Sequence, residues 1–300
     1  MSIHFSVVIP TYQREVLLLR AVASVLNQSY ENFEIIIVDN DSSELLAKND
    51  LLNNNAKIRY FDYSTKKGAS SARNKGIAEA KGEIICFLDD DDEYYAEMLT
   101  EINALFSDHK NTADFAWCGV EKIFTDPDDN HRSEIFHINS EAVTDRSFVL
   151  RVGTGCGLCV YKKCLIDVGS FNEEMTVSED RDLLLKLLSA GYQGKPVASV
   201  LHKRYYHFGE RLSTSVDQQQ VNFDSKLYQL HQSYIDAHPA LKNKLFDQLG
   251  LNYFLAGEFQ SALNTSLAIW KESPFRVKAI RRLIRFKLAT ILQNNVAGGQ

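Results

Sequence analysis

The first ninety residues alternate short β-rich runs with segments of helical periodicity, and that alternation leaves few folds open. Phe5 to Ile9 reads as a strand, Val16 to Leu26 carries apolar residues at helical spacing, and Phe33 to Val38 reads as a second strand buried on both faces. A polar helix over Glu44 to Asn53, a short strand at Ile58 to Phe61, a helix from Ser70 to Ala80 and a strand at Glu83 to Leu88 continue the series. Units of this kind connect parallel strands by right-handed crossovers, so the chain is expected to be α/β, with a mostly parallel sheet flanked by helices. Ligands of open α/β sheets lie beyond the carboxyl ends of the strands. The polar clusters ending these strands, Thr11-Tyr12, Asp39-Asn40-Asp41 and Asp89 to Asp92, should therefore meet on one rim.

From Ala96 to about Tyr206 the pattern loosens. It suggests a helix near Glu97 to Phe106, a strand at Phe115 to Val120, a polar loop over Thr125 to Arg132, a strand at Leu158 to Tyr161 and a helix over Arg181 to Ser189. Beyond about Val216 only helical periodicity remains, which divides the 300 residues into an α/β domain over 1–215 and a helical extension over 216–300. Tyr253 to Leu263 has the small-residue pattern of one tetratricopeptide-like helical hairpin, and a single copy is no repeat array. The last segment is basic, with Lys271, Arg276, Lys278, Arg281, Arg282, Arg285 and Lys287 beside an apolar stripe of Ile280, Leu283, Ile284, Leu288 and Ile291. Such a helix suits peripheral contact with anionic lipid, and it equally suits packing on the α/β domain with its charges solvated.

A formal net charge of −6 disfavours binding along a nucleic-acid backbone, which needs clustered Lys and Arg. Five cysteines, an odd number, sit in apolar stretches and suit a reducing compartment. Cys156 and Cys159 form a lone C-x-x-C, and without a second pair or paired histidines a structural role is expected. The amino terminus has no basic leader, and no apolar run approaches the ~20 residues that span a bilayer. The expected location is the cytoplasm, including the inner face of the cell membrane if the basic helix touches lipid.

The strongest chemical signal is the buried run Ile84-Ile85-Cys86-Phe87-Leu88 ending in Asp89-Asp90-Asp91-Asp92. Like charges crowded at a sheet rim repel, which makes little sense without a cation. Hard oxygen ligands there suit Mg²⁺ or Mn²⁺, held by one or two carboxylates with diphosphate oxygens completing the shell. A solvated turn is the alternative.

With that motif in place the sequence resembles the family 2 glycosyltransferases of the GT-A fold, over roughly Ser6 to Ser215. The opening strand Ser6-Val7-Val8-Ile9-Pro10-Thr11-Tyr12, the second strand's end Val38-Asp39-Asn40-Asp41-Ser42-Ser43 and the run Ala72-Arg73-Asn74-Lys75-Gly76 match its motifs. So does Leu88-Asp89-Asp90-Asp91-Asp92. The resemblance implies a nucleotide-diphosphate sugar, UDP-linked in the first instance, bound by Pro10, Thr11, Tyr12, Arg14, Asp39, Arg73, Asp89, Asp90 and Arg211. Within that set Asp39 would accept a pyrimidine imide hydrogen and Arg73 would offer its guanidinium fork toward the nucleotide. Asp91 is the leading implied metal ligand, with Asp89 on the ribose or the metal and Asp92 supporting the loop, and it is joined by His207 from the segment Tyr205-Tyr206-His207-Phe208-Gly209-Glu210-Arg211. A Glu-Asp pair opening a helix, here Glu179-Asp180, supplies the family's general base, and Asp180 takes that role by resemblance.

The implied reaction is inverting transfer to a hydroxyl of a glycan or lipid-linked saccharide, in polysaccharide or lipopolysaccharide assembly, with no covalent glycosyl-enzyme. Donor and acceptor specificity is expected in irregular loops such as Thr125 to Ile138. Haloacid-dehalogenase type phosphatases place Asp-x-Asp near the amino terminus and follow it with Thr or Val where Glu93 stands. Dinucleotide oxidoreductases need G-x-G-x-x-G, which Gly153-x-Gly155 does not complete, and P-loop enzymes need G-x-x-x-x-G-K-[ST]. A nucleotidyltransferase should carry a Gly-rich basic loop where Thr11-Tyr12-Gln13-Arg14 stands. A non-catalytic glycan-binding scaffold on the same fold remains the non-enzymatic alternative.

Overall fold

A computed structural model describes residues 3–41, 49–65, 68–108, 112–125, 131–138, 140–206 and 218–272, together with Ile284, Phe286 and Lys287. The chain divides into two compact units, Met1–Val143 with Arg151–Gly209, and Thr144–Leu150 with Glu210–Gln300.

In the first unit β1 (Phe5–Thr11), β2 (Phe33–Asp39), β3 (Ile58–Asp62) and β4 (Ile84–Phe87) are the parallel strands expected from the alternation. Helix α1 (Glu15–Leu26) follows β1 and buries Leu18, Ala21, Val22 and Val25. Helix α2 (Ala69–Glu79) follows Gly68, whose φ of 112° lies in the left-handed region that favours glycine. Of the polar helix expected over Glu44 to Asn53, Asp50–Asn53 is helical and residues 42–48 lie outside the described set.

The second half of the sheet mixes directions. After β5 (Glu93–Tyr94) and helix α3 (Met98–Ser107) come β6 (Phe115–Thr125), β7 (His131–Phe136), β8 (Cys159–Tyr161), helix α4 (Glu179–Ser189) and β9 (Gly194–Tyr206). The order is β3-β2-β1-β4-β8-β6-β9-β5, with β7 on β6. Strand β8 is antiparallel to β4 and β6, whereas β9 is parallel to β6 and antiparallel to β5. The expected loop over Thr125 to Arg132 is replaced at both ends by strand, because β6 and β7 pair from Val120↔Phe136 to Thr125↔His131. Strand β9, absent from the sequence reading, mixes Lys195, Pro196, Lys203 and Arg204 with half-buried positions, so neither an apolar run nor a clean alternation marks it.

Register explains the rim. Thr11 pairs with Asp39, and Val8 pairs with Phe87. Continued past Phe87, that register sets Asp90 opposite Thr11, and the Thr11 hydroxyl does donate to Asp90 at 2.8 Å.

The second unit is helical in its described carboxyl-terminal part: α5 (Gln218–Leu230), a short Gln232–Asp236 helix, α6 (Pro239–Leu255) and α7 (Phe259–Glu272). The segment Thr144–Leu150 belongs to it, tied by Lys244, whose ammonium donates to Asp145 at 2.6 Å and to the Ser147 hydroxyl at 2.9 Å. Of the basic terminal segment, Phe286 is buried and stacks on Phe254 with centroids 4.9 Å apart. No helix among the described residues is long and apolar enough to cross a membrane.

Candidate active site

The four aspartates after β4 have four different environments. Asp92 is almost fully buried, pairs with His202 at 3.0 Å and accepts the Tyr205 N–H at 3.0 Å, so it anchors the acid run to β9. Asp90 is also buried, held by Thr11 and by Arg14 at 3.1 Å. Burial pushes its pKa up to about 6, against the pull of Thr11 and Arg14. Asp89 and Asp91 keep 27% and 19% of their side-chain surfaces. Arg14 also reaches Asp91 at 3.1 Å, and Arg20 donates to the Asp91 carbonyl at 2.7 Å. These two are the carboxylates a ligand at the rim can reach.

At the end of β2 the Asp39 side chain is fully buried, accepting the Tyr60 hydroxyl at 2.6 Å and the Asp41 N–H at 2.9 Å. Pro10 sits in the β1 ladder opposite Val38, and Tyr12, just past the strand, is 46% exposed.

Arg73 connects the rim to the helix that carries the expected base. It lies on α2, nearly sealed from solvent at 4% exposure. Its guanidinium donates to Asp89 at 2.8 Å, to Glu179 at 2.8 Å and to the Thr154 hydroxyl at 3.3 Å. A planar fork can hold two carboxylates at once, which a lysine ammonium cannot do with the same geometry. Burial works to raise the pKa of Asp89, but Arg73 and, farther off, Arg204 hold it below the usual value. Glu179 goes the other way, raised by burial and by neighbouring Asp180.

Asp180 stands in the first turn of α4, where its Oδ1 accepts the Arg181 N–H at 2.8 Å. A β-carbon on Gly153 would lie 1.8 Å from its Oδ2, so only glycine leaves room for the carboxylate. Gly153 precedes a 3₁₀ turn, Thr154–Cys156, and a β-carbon on Gly155 in that turn would lie 2.9 Å from the Arg204 guanidinium carbon. One short turn therefore seats an acid at one end and a cation at the other.

A model of glycosyl transferase family 2 matches residues 6–170 of this chain. The chain belongs to glycosyl transferase family 2. This family 2 chain is 30% identical over 191 residues to a Campylobacter jejuni protein named GalNAc(5)-diNAcBac-PP-undecaprenol beta-1,3-glucosyltransferase, covering 58% of this chain and 56% of that protein. It is 29% identical over 185 residues to an Escherichia coli protein named UDP-Glc:alpha-D-GlcNAc-diphosphoundecaprenol beta-1,3-glucosyltransferase WfgD, covering 61% and 69% respectively. The family 2 chain spans about half the length of the Campylobacter relative, and 38% of a related Rickettsia felis protein. S. aureus TarS 1-349 in complex with UDP superposes with a TM-score of 0.63 at 15% identity, over 99% of this chain and 92% of TarS 1-349, which shows a shared GT-A fold.

Among the described residues of the family 2 chain, no group of three or more His, Cys, Asp or Glu side chains is placed to hold a metal. Asp89 and Asp91 fit the sparser donor set of Mg²⁺ or Mn²⁺, in which one or two carboxylates leave places for substrate phosphate oxygens. His207 and Arg211 lie outside the described residues. The C-x-x-C pair divides between two neighbours: the Cys156 thiol faces the Arg151 carbonyl, 3.6 Å away, and the Cys159 thiol donates to Cys86 Sγ at 2.8 Å. Sequence reasoning missed Thr154, Gly155 as a packing point, and Arg204. The repeated glycines of Gly153-x-Gly155 are the signal the sequence offers for them.

Proposed function

We propose that this chain transfers a sugar from a UDP-linked donor to a hydroxyl of a lipid-linked saccharide, with inversion, using Asp180 as general base. The observation that carries the reading is the Arg73 bridge. It ties Asp89, at the rim where a donor diphosphate would lie, to Glu179, the residue before Asp180. Displacement at an anomeric carbon needs charge neutralised on the leaving side and a base on the attacking side, and Arg73 holds two such acidic elements in one framework. Support for the donor comes from the fold shared with TarS, whose structures are titled as complexes with UDP and UDP-GlcNAc. Support for the acceptor comes from the Campylobacter and E. coli relatives, whose names carry undecaprenol diphosphate.

Asp89 and Asp91 would hold Mg²⁺ or Mn²⁺, which when bound neutralises charge developing on the departing diphosphate. Asp180 accepts the proton of the incoming hydroxyl, and the Arg181 N–H orients its carboxylate through Oδ1. Glu179 and Arg73 keep the first turn of α4 in place beneath it.

The test is Asp180→Asn assayed for transfer and for UDP binding. Loss of a placed general base should lower turnover by about 10²–10⁴-fold. UDP affinity should be retained. Undiminished turnover would remove Asp180 as base, and a wild-type protein that binds glycans without donor turnover would favour a scaffold.

A further inference from the structure

Beside Gly155 lies a cavity of about 400 Å³ lined by residues that the proposed chemistry leaves unused. Three of them are cations: Lys122 on β6, Arg204 on β9, and Arg151. Lys122 and Arg204 are register partners on adjacent parallel strands, where two like charges side by side are unfavourable unless something negative sits between them. Among the described residues none of the three makes an ion pair and no carboxylate lines the cavity, and Arg204 alone is attracted, from farther off, by Asp92 and Asp89. Phe136 and Tyr206 form apolar walls, with the Lys122 ammonium 4.3 Å from the Phe136 ring centroid.

We infer that this cavity binds the phosphate or diphosphate of the acceptor, and that Lys122, Arg151 and Arg204 are its anion clasp. The inference rests on the glycosyl-transfer reading and adds the acceptor's charged group to it. Two guanidinium forks and an ammonium match a multiply charged phosphate better than a single carboxylate. Placement supports the assignment. Asp180 abuts Gly153 and Arg204 abuts Gly155, and two residues of chain separate the α-carbons of those glycines by no more than about 7 Å. An acceptor whose first sugar is attached directly to phosphate could thus put a ring hydroxyl at Asp180 while its phosphate enters the clasp. The donor's diphosphate is the other source of the same chemistry.

Calorimetry with decyl diphosphate, in the presence of saturating UDP, separates the two sources. Decyl diphosphate should bind alongside UDP, and neutral decyl glucoside should bind at least about tenfold more weakly. Lys122→Gln and Arg151→Gln should each lower decyl diphosphate affinity about tenfold, the loss expected for one charge-assisted contact. UDP affinity and the melting curve should stay at wild-type values, and Lys122→Arg should restore binding. Displacement of decyl diphosphate by UDP would assign the cavity to the donor and overturn the proposal, as would affinity indifferent to both substitutions or equal binding of decyl glucoside. If UDP did not bind while decyl diphosphate binding still depended on Lys122 and Arg151, the donor reading would fall and the anion clasp would stand.

Discussion

Asp180 approaches Gly153 so closely that its Oδ2 occupies space a β-carbon would need, 1.8 Å away. The φ of Gly153 is −170°, extended backbone that any residue adopts, so the requirement for glycine is steric rather than conformational. A glycine that sequence reasoning weighed only as part of a failed dinucleotide motif thus shapes the space around the expected base.

Gly153→Ala should therefore act on catalysis more than on folding. The added methyl must push the Asp180 carboxylate aside, and displacement of a catalytic group by about 1 Å can cost roughly 10²-fold in rate. Transfer assays should show that loss while UDP binding, measured by calorimetry, changes little. Wild-type turnover in the alanine variant would show that Asp180 does not work from this position.

Arg73 is nearly sealed from solvent between two half-buried carboxylates, so its removal leaves Asp89 and Glu179 without their shared cation and opens a gap where the guanidinium sat. Arg73→Met is expected to destabilise the protein by about 2–3 kcal/mol in denaturant titration, less than for a fully buried pair because both carboxylates keep some contact with water, and Arg73→Lys by less. A loss below about 1 kcal/mol for the methionine variant would mean that the bridge is not maintained in solution.

Asp91→Ala should separate metal from nucleotide. In the wild type, UDP affinity measured with Mn²⁺ should exceed that measured with EDTA, because diphosphate oxygens complete the metal's shell. In the variant the two affinities should converge. An unchanged manganese effect would exclude Asp91 as a ligand.

Away from the site, Glu34 provides a pH signature. Burial alone would raise its pKa, but it is held below the usual value by bonds from Ser6 at 2.7 Å, the Lys81 N–H at 2.6 Å and Arg59 at 3.1 Å. A carboxylate whose pKa is depressed on folding stabilises above its unfolded value and loses that contribution as pH falls through the folded one. Glu34→Gln should therefore be less stable than wild type by about 1–3 kcal/mol at pH 7. The gap should narrow as pH drops below the ordinary glutamate value of 4.5. A gap that does not vary with pH would show that the charge on Glu34 is not what the network holds.

Legibility followed periodicity. Strands β1, β2 and β4 were readable because each is a nearly uninterrupted apolar run buried on both faces, and their polar ends met on one rim as the parallel register requires, whereas the edge strand β3, IRYFD and only half-buried, was readable from its β-branched and aromatic residues. Helix α4 was readable from its acidic first turn and apolar stripe. Strands β7 and β9 were not, since β7 is largely exposed and polar and β9 carries charges along a half-buried path.

By itself the sequence determined the α/β frame, the rim of aspartates after β4 and the acidic start of α4, because hydrophobic period and strand ends are local properties of the chain. Only the tertiary structure decided how the four aspartates divide their work. It sends Asp92 to His202, Asp90 to Thr11 and Asp89 to Arg73, 16 residues away, because side-chain partners depend on strand order and register. The same dependence hid the cationic cavity. Lys122 and Arg204 are 82 residues apart in the chain, and only the β6–β9 pairing sets them side by side.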